Sequence, residues 1–167
     1  MKYYIDAPYP KIEEIVPNPI YGKMILDNVG GMHSEMSAIS LYLYNQVIIG
    51  DMYDQVRTAF LQISMAEMRH LNIFCELSFK LGMDPRLWSG TDEYNEYWSP
   101  SYNNYPNQLD SLLENAIISE KRAIEKYTYQ ISVINDPKII SILERIILDE
   151  ELHLQIFQSL YQQLITY

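Results

Sequence analysis

Two glutamates in this chain are each followed, three residues later, by a histidine: Glu67 with His70 in EMRHLNIF, and Glu150 with His153 in EELHLQIF. Residues three apart share one face of a helix, so each pair can aim a carboxylate and an imidazole at a single point. Two further glutamates open a second repeated phrase, Glu-x-x-Ala-Ile-x-x-Tyr, at Glu35 to Tyr42 and at Glu120 to Tyr127. Nearly the same interval separates the two phrases in each half, so the chain reads as an internal duplication that sets four carboxylates and two imidazoles at matched depth. Four carboxylates buried without partners are very costly, whereas two divalent cations cancel four negative charges formally. Bridging carboxylates hold two ions a few Å apart, and imidazole suits iron or manganese better than magnesium or calcium. A pair of redox metals shares out two electrons, the number that cleavage of a peroxide bond demands.

Other residues near these phrases are expected to do less. His33 lies two residues from Glu35, about 200° around the helix, and should point away from the other six. Glu151 is about 100° off the facing direction, and Glu76 and Glu125 fall on the far sides of their helices, so all three are read as solvated. Tyr42 and Tyr127 stand seven residues after their glutamates, nearly the same face two turns on. Either can pack in the core or donate a hydrogen bond to a carboxylate across the bundle. Met32, Met36, Met65 and Met68 are read as soft core filler rather than as haem ligands.

Four long helices are needed to carry the four phrases. Pro8, Pro10, Pro17 and Pro19 mark residues 1–19 as an extended arm. Helical spacing runs from about Ile20 to Ile49, with a kink or a close helix contact expected at Gly30 and Gly31. Asp51 is the candidate cap of a second helix that reaches about Leu81 and stops at Gly82 and Pro85. Residues 82–106 hold Pro85, Pro100 and Pro106 with Trp88, Tyr94, Tyr97, Trp98, Tyr102 and Tyr105, too aromatic for a disordered linker, and are read as a packed crossover. A third helix is expected from about Asn107 to Ile134, and Asp136-Pro137 caps a fourth that runs to the end. Two antiparallel hairpins joined by a long connection make an all-α four-helix bundle, here taken as one domain over residues 1–167.

Composition narrows the partners. The 167 residues carry 22 acidic against 12 basic side chains, a formal charge of −10, which repels nucleic acid and anionic membrane surfaces. One cysteine, Cys75, leaves no disulfide framework and no thiolate metal site, which suits a reducing cytoplasm. The opening MKYYIDAPYP has no apolar signal core, and no run of apolar residues is long enough to span a membrane.

With these residues in view, the chain resembles the ferritin-like superfamily of dinuclear metal carboxylate proteins, and within it the rubrerythrins and manganese catalases. The paired Glu-x-x-His is shared with rubrerythrins and bacterioferritins. The stretch NPIYGKMILDNVGGMHSEMSAISLYL with EMRHL, SEKRAIEKY and NDPKI is similar to the manganese catalase and spore-coat catalase-like branch. The resemblance implies a ferritin-like bundle with two iron or two manganese ions per subunit, held by Glu35, Glu67, His70, Glu120, Glu150 and His153, with Glu67 and Glu150 as bridges. It implies an oxidoreductase acting on hydrogen peroxide or dioxygen, as a peroxidase or a catalase, in a cytoplasmic homo-oligomer; the alternative is iron oxidation for storage of the bacterioferritin type. Rubrerythrins usually append a cysteine-ligated rubredoxin domain, for which this sequence lacks the cysteines, so electrons, if used, come from a separate donor protein. They also place a further Glu three residues after the third-helix Glu. Here that residue is Ala123, which leaves a more symmetric site with one Glu and one His for each metal.

Overall fold

Among the described residues no helix or strand precedes Asn18, whose Oδ1 accepts from the backbone N–H of Ile20 and Tyr21 at 3.1 and 3.2 Å and so starts the first helix. A computed structural model describes residues 2–90 and 95–165. Helix α1 spans Pro19–Gly30 and α2 spans Glu35–Ile48. The sequence pattern suggested one helix with a kink or a close helix contact at the glycines; the structure breaks it in two at Gly31, whose backbone is extended at ψ 175°, and Gly30 meets the backbone of Leu87 and Trp88 rather than another helix. A Cβ on Gly30 would lie 2.2 Å from the backbone nitrogen of Trp88, and one on Gly31 would lie 2.2 Å from Asp27 Oδ1. Ser34 caps the restart, accepting from Ser37 N–H at 3.4 Å. The break puts Glu35 in the first turn of α2, where exposed backbone N–H groups favour a negative side chain.

Helix α3, Asp54–Lys80, follows a 3-10 turn at Gly50–Tyr53. Asp51 does not cap it: Asp51 lies in that turn, 3.8 Å from Arg57, and Tyr53 precedes α3 without a side-chain cap. The stop is as expected, with Gly82 at φ 96° and its N–H bonded to Phe79 O at 3.0 Å. The crossover contains a small antiparallel hairpin that the sequence pattern did not suggest, β1 at Trp88–Gly90 against β2 at Asn95–Tyr97, with Trp88 opposite Tyr97. Tyr94 of the aromatic set falls outside the described residues. Trp98 Nε1 donates to Ser37 Oγ at 3.0 Å and holds the crossover on the first turn of α2.

Helix α4 spans Leu109–Val133 and α5 spans Pro137–Ile165. Asp136 Oδ1 accepts from Lys138 N–H at 2.9 Å and opens α5 as expected. Helix α2 pairs with α3 and α4 with α5, and the two pairs meet through α3 against α5 and α2 against α4. Apart from the short hairpin and the 3-10 turns the regular structure is α-helical, and the architecture is an all-α bundle.

The apolar core comes in two pieces. One is built around Ile25, Phe74, Leu77, Ile139 and Ile142, the other around Val56, Phe60, Leu112, Leu113 and Phe157. Along α3, α4 and α5 the glutamates and histidines of the repeated phrases fall between these two clusters. Three of the four methionines correct the reading of core filler: Met32, Met65 and Met68 are 53%, 53% and 46% exposed and lie on the surface, while Met36 is half-buried. Among the described residues no helix is long and apolar enough to cross a membrane.

Candidate metal centre

The six residues singled out by spacing converge in the layer between the two clusters, and none is more than 2% exposed. Glu35 comes from α2, Glu67 and His70 from α3, Glu120 from α4, and Glu150 and His153 from α5. His70 Nδ1 lies 3.0 Å from Glu67 Oε2, 3.1 Å from Glu150 Oε1 and 3.9 Å from Glu35 Oε2. His153 Nδ1 repeats the pattern at 2.9 Å from Glu67 Oε1, 3.1 Å from Glu150 Oε2 and 4.0 Å from Glu120 Oε2. Each set of four offers ligand atoms within 4.8 Å of one another, and the two sets share Glu67 and Glu150.

The tyrosines cross over. Tyr42 of α2 donates to Glu120 Oε1 of α4 at 2.5 Å, and Tyr127 of α4 donates to Glu35 Oε1 of α2. Each phenol belongs to a different apolar cluster, so each cluster fixes one carboxylate of the layer. Of the two alternatives open for these residues, packing and hydrogen bonding, both hold at once: the Tyr42 ring also packs, tilted, against Phe60 and Phe157 at ring distances of 5.6 and 5.4 Å.

Burial raises the carboxyl groups of Glu35 and Glu120 well above their usual range, and their anionic neighbours Glu67 and Glu150 add to this. Burial also opposes the charge on Glu67, but His153 and His70 outweigh it and hold that carboxylate below its usual range. Both histidines are raised, since the surrounding carboxylates overcome the desolvation of the rings. Left to itself the cluster is neutralised by protons, and a cation that enters must displace them.

The donors fit such cations. Glu67 Oε1 and Glu150 Oε1 are buried, and the atoms within reach of them are His153 Nδ1 at 2.9 Å and His70 Nδ1 at 3.1 Å, themselves metal donors once their protons leave. The nitrogen-to-oxygen separations of 2.9 to 3.1 Å bring each Nδ1 and two carboxylate oxygens close enough that one cation could be held by all three. Nitrogen and carboxylate oxygen together select iron or manganese over calcium or magnesium.

Behind the histidines lies a second set of groups. His70 Nε2 is 3.2 Å from Asp149 Oδ2 and 3.1 Å from the Tyr9 hydroxyl, which itself donates to Asp149. Asp149 also accepts from Ile5 N–H at 2.6 Å and pairs with Arg145 Nη1 at 2.9 Å. Against the cost of burial, His70, the Ile5 N–H and Tyr9 keep the Asp149 carboxyl well below its usual range. His153 Nε2 is 2.9 Å from the backbone oxygen of Tyr3. A carboxylate and a carbonyl can only accept in these contacts, so each outer nitrogen carries a hydrogen and each Nδ1 faces the glutamates, where it could act as a ligand once its own proton leaves.

On the opposite side, between α2 and α4, a cavity of about 20 Å³ touches all four glutamates and is bounded by Ser119 and Ala123. That is room for little more than one water-sized molecule. His33 and Ser119 also line a larger outer pocket of about 100 Å³.

The rubrerythrin family model matches residues 30–163, the stretch that holds all four phrases. This chain belongs to the rubrerythrin family. A curated relative, a probable manganese catalase from Clostridium acetobutylicum, is 24% identical over 95% of this chain and 76% of its own length. Among solved structures, the manganese catalase KatB from Anabaena superposes with a TM-score of 0.82 at 20% identity, covering 98% of this chain and 81% of that one. A dodecameric thioferritin, the bacterioferritin-related protein of Bacteroides fragilis, gives a TM-score of 0.71 at 20% identity, over 90% of this chain and 89% of its own.

Within this rubrerythrin-family bundle, all six proposed ligands and both tyrosines meet in one layer. Glu76, Glu125 and Glu151 are exposed, as expected. His33 is exposed and makes none of the contacts of the six, yet it stands at the outer wall of the small cavity rather than wholly away from it. Sequence reading missed Asp149, Arg145, Tyr9 and Tyr3. Asp149 and Arg145 left a readable signal, an acid and a base four residues apart on a stretch otherwise rich in Ile and Leu, IISILERIILDE. The arm residues left none, because contacts that span 140 or 150 positions from a proline-rich segment have no periodicity to betray them.

Proposed function

We propose that this chain is a dinuclear non-haem oxidoreductase in which Glu35, Glu67, His70, Glu120, Glu150 and His153 hold two iron or manganese ions and the substrate is hydrogen peroxide, with dioxygen the other oxidant of suitable size. The carrying observation is the pair of overlapping four-donor sets that share Glu67 and Glu150. Two such ions, when bound, would together give two electrons to the substrate or take two from it, the number that breaking or making an O–O bond requires. The chain's own residues then set the conditions. The apolar clusters on either side of the layer exclude bulk water, and the cavity of about 20 Å³ admits only molecules near the size of water or peroxide. Tyr42 and Tyr127 keep their protons, since burial, together with Glu120 and Glu35 respectively, pushes both phenols well above their ordinary value. They therefore remain donors that orient the Glu120 and Glu35 carboxylates.

The manganese catalase relative supports disproportionation, in which a second peroxide returns the site to its starting state; a peroxidase would instead need a separate electron-donor protein. The same reading takes the chain as a cytoplasmic homo-oligomer. The test is reconstitution of the purified chain with Mn(II) or Fe(II), followed by metal analysis and an assay for oxygen release from peroxide without reductant. Two ions per chain and oxygen release are expected, with both lost when Glu67→Ala and His70→Ala are combined. Protein that retains no metal, or a double variant that retains all of it, overturns the reading. Peroxide consumption only with an added donor assigns a peroxidase. Iron uptake into large shells by sedimentation assigns storage of the bacterioferritin type.

A further inference from the structure

The two halves of the site match in their inner donors and differ behind the histidines. In the second half, the residue before the Glu-x-x-His glutamate is Asp149, and its carboxylate backs His70 on the facing helix at 3.2 Å. The equivalent residue in the first half is Ala66, which has nothing to offer His153. The arm fills the place: the Tyr3 carbonyl lies 2.9 Å from His153 Nε2. It is held there by more than one tether. Ile5 N–H donates to Asp149 at 2.6 Å, Arg145 donates to the carbonyls of Ile5 and Ala7 at 2.7 to 3.1 Å, and the Tyr9 ring lies between the Arg145 and Arg69 guanidinium groups at 4.2 and 4.4 Å.

We propose that the N-terminal arm is a working part of the metal centre, its Tyr3 carbonyl supplying the acceptor that Ala66 lacks, and that this substitution makes the two metal positions unequal, the His70 position binding more tightly than the His153 position. The inference rests on the dinuclear reading above. A histidine that gives its outer N–H to a carboxylate is a stronger electron donor at its inner nitrogen than one that gives it to a neutral carbonyl. Arg145 offsets part of the Asp149 charge, but the carboxylate oxygen remains the atom in contact with His70, and no anion is recorded against His153 Nε2 among the described residues. Asp149 and Tyr3 are positioning residues, acting through the imidazoles and not on substrate.

Single-position variants separate the two halves. His153→Ala leaves the His70 position and His70→Ala leaves the His153 position, and Mn(II) binding to each is read by calorimetry, with the electron paramagnetic resonance signal counting bound ions. The His153→Ala chain should bind about tenfold or more tightly than the His70→Ala chain. Adding Asp149→Asn should weaken the His153→Ala chain by about tenfold and leave the His70→Ala chain within about twofold. Removal of residues 2–4, which takes away the Tyr3 carbonyl but keeps Ile5, Tyr9 and every helix, should do the reverse. Far-ultraviolet circular dichroism of each chain without metal reports folding, and the truncated chain carries the test if Asp149→Asn loses its helices. Equal affinities in the two single variants overturn the inference, as does a truncation that affects both positions alike or neither. A wild-type chain that binds no Mn(II) fails the dinuclear reading itself, a different outcome from two equal positions.

Discussion

Tyr42 and Tyr127 connect chemistry to packing through single atoms. Each hydroxyl donates to a carboxylate on the opposite helix, while the ring is fully enclosed by an apolar cluster. Removing one hydroxyl as Tyr42→Phe keeps the shape and leaves a buried Glu120 oxygen without its donor, an omission that costs about 1–3 kcal/mol. Urea unfolding of the chelator-treated chain should show that loss for Tyr42→Phe and for Tyr127→Phe. Tyr161→Phe, whose hydroxyl bonds Glu114 near the surface, should stay within about 0.5 kcal/mol of the parent. At this scale the repeated phrases made the six candidate ligands and both tyrosines legible, since side chains three or seven residues apart on a helix have their directions set by its geometry. Asp149 was harder to see: its contact depends on the crossing of α3 and α5, and helical spacing alone cannot report which residue of a facing helix it meets.

Elements show where periodicity stops being informative. Asp136 before Pro137 and Gly82 after α3 act where local rules place them, because caps and left-handed residues are decided by a few neighbours. Asp51 looked equally good as a cap, yet the chain takes a 3-10 turn first and α3 begins at Asp54, so an acid at a helix start is not by itself a cap. The split between α1 and α2 and the β1–β2 hairpin arise from tertiary approach: the backbone at Leu87 and Trp88 rests directly on Gly30. The pattern marked the glycines but not what would press on them. Gly30→Ala must push that strand away or bend α1, since a Cβ there would lie 2.2 Å from a backbone nitrogen and 2.6 Å from a backbone carbon, and neither can swing aside like a side chain. A loss of about 1–3 kcal/mol is expected from overpacking. Denaturant unfolding measures it, and unchanged stability would mean that the crossover is free to lift from α1.

The whole molecule is a bundle with apolar ends and an ionic middle. Four carboxylates and two imidazoles are buried in that middle, and without cations they are reconciled only by protons and mutual hydrogen bonds. The two apolar clusters do not depend on metal, so a chelated chain should keep its helices. What it loses is the binding free energy of the ions, which the unfolded chain, with its donors scattered, does not recover. A single site held at about a hundred times its dissociation constant stabilises by about 2.7 kcal/mol, and two such sites approach twice that. For a chain of this size each kcal/mol moves the midpoint by about 2–4 °C, so chelation should lower the melting temperature by about 10 °C or more. The combined Glu67→Ala and His70→Ala chain, stripped of half its inner nitrogen and one shared carboxylate, should show little or no chelator effect. Thermal scans followed by circular dichroism, with and without chelator, make the comparison. If the parent melted at the same temperature in both, the buried carboxylates would need another explanation, and the apolar clusters with the layer's own hydrogen bonds would account for the stability of the bundle.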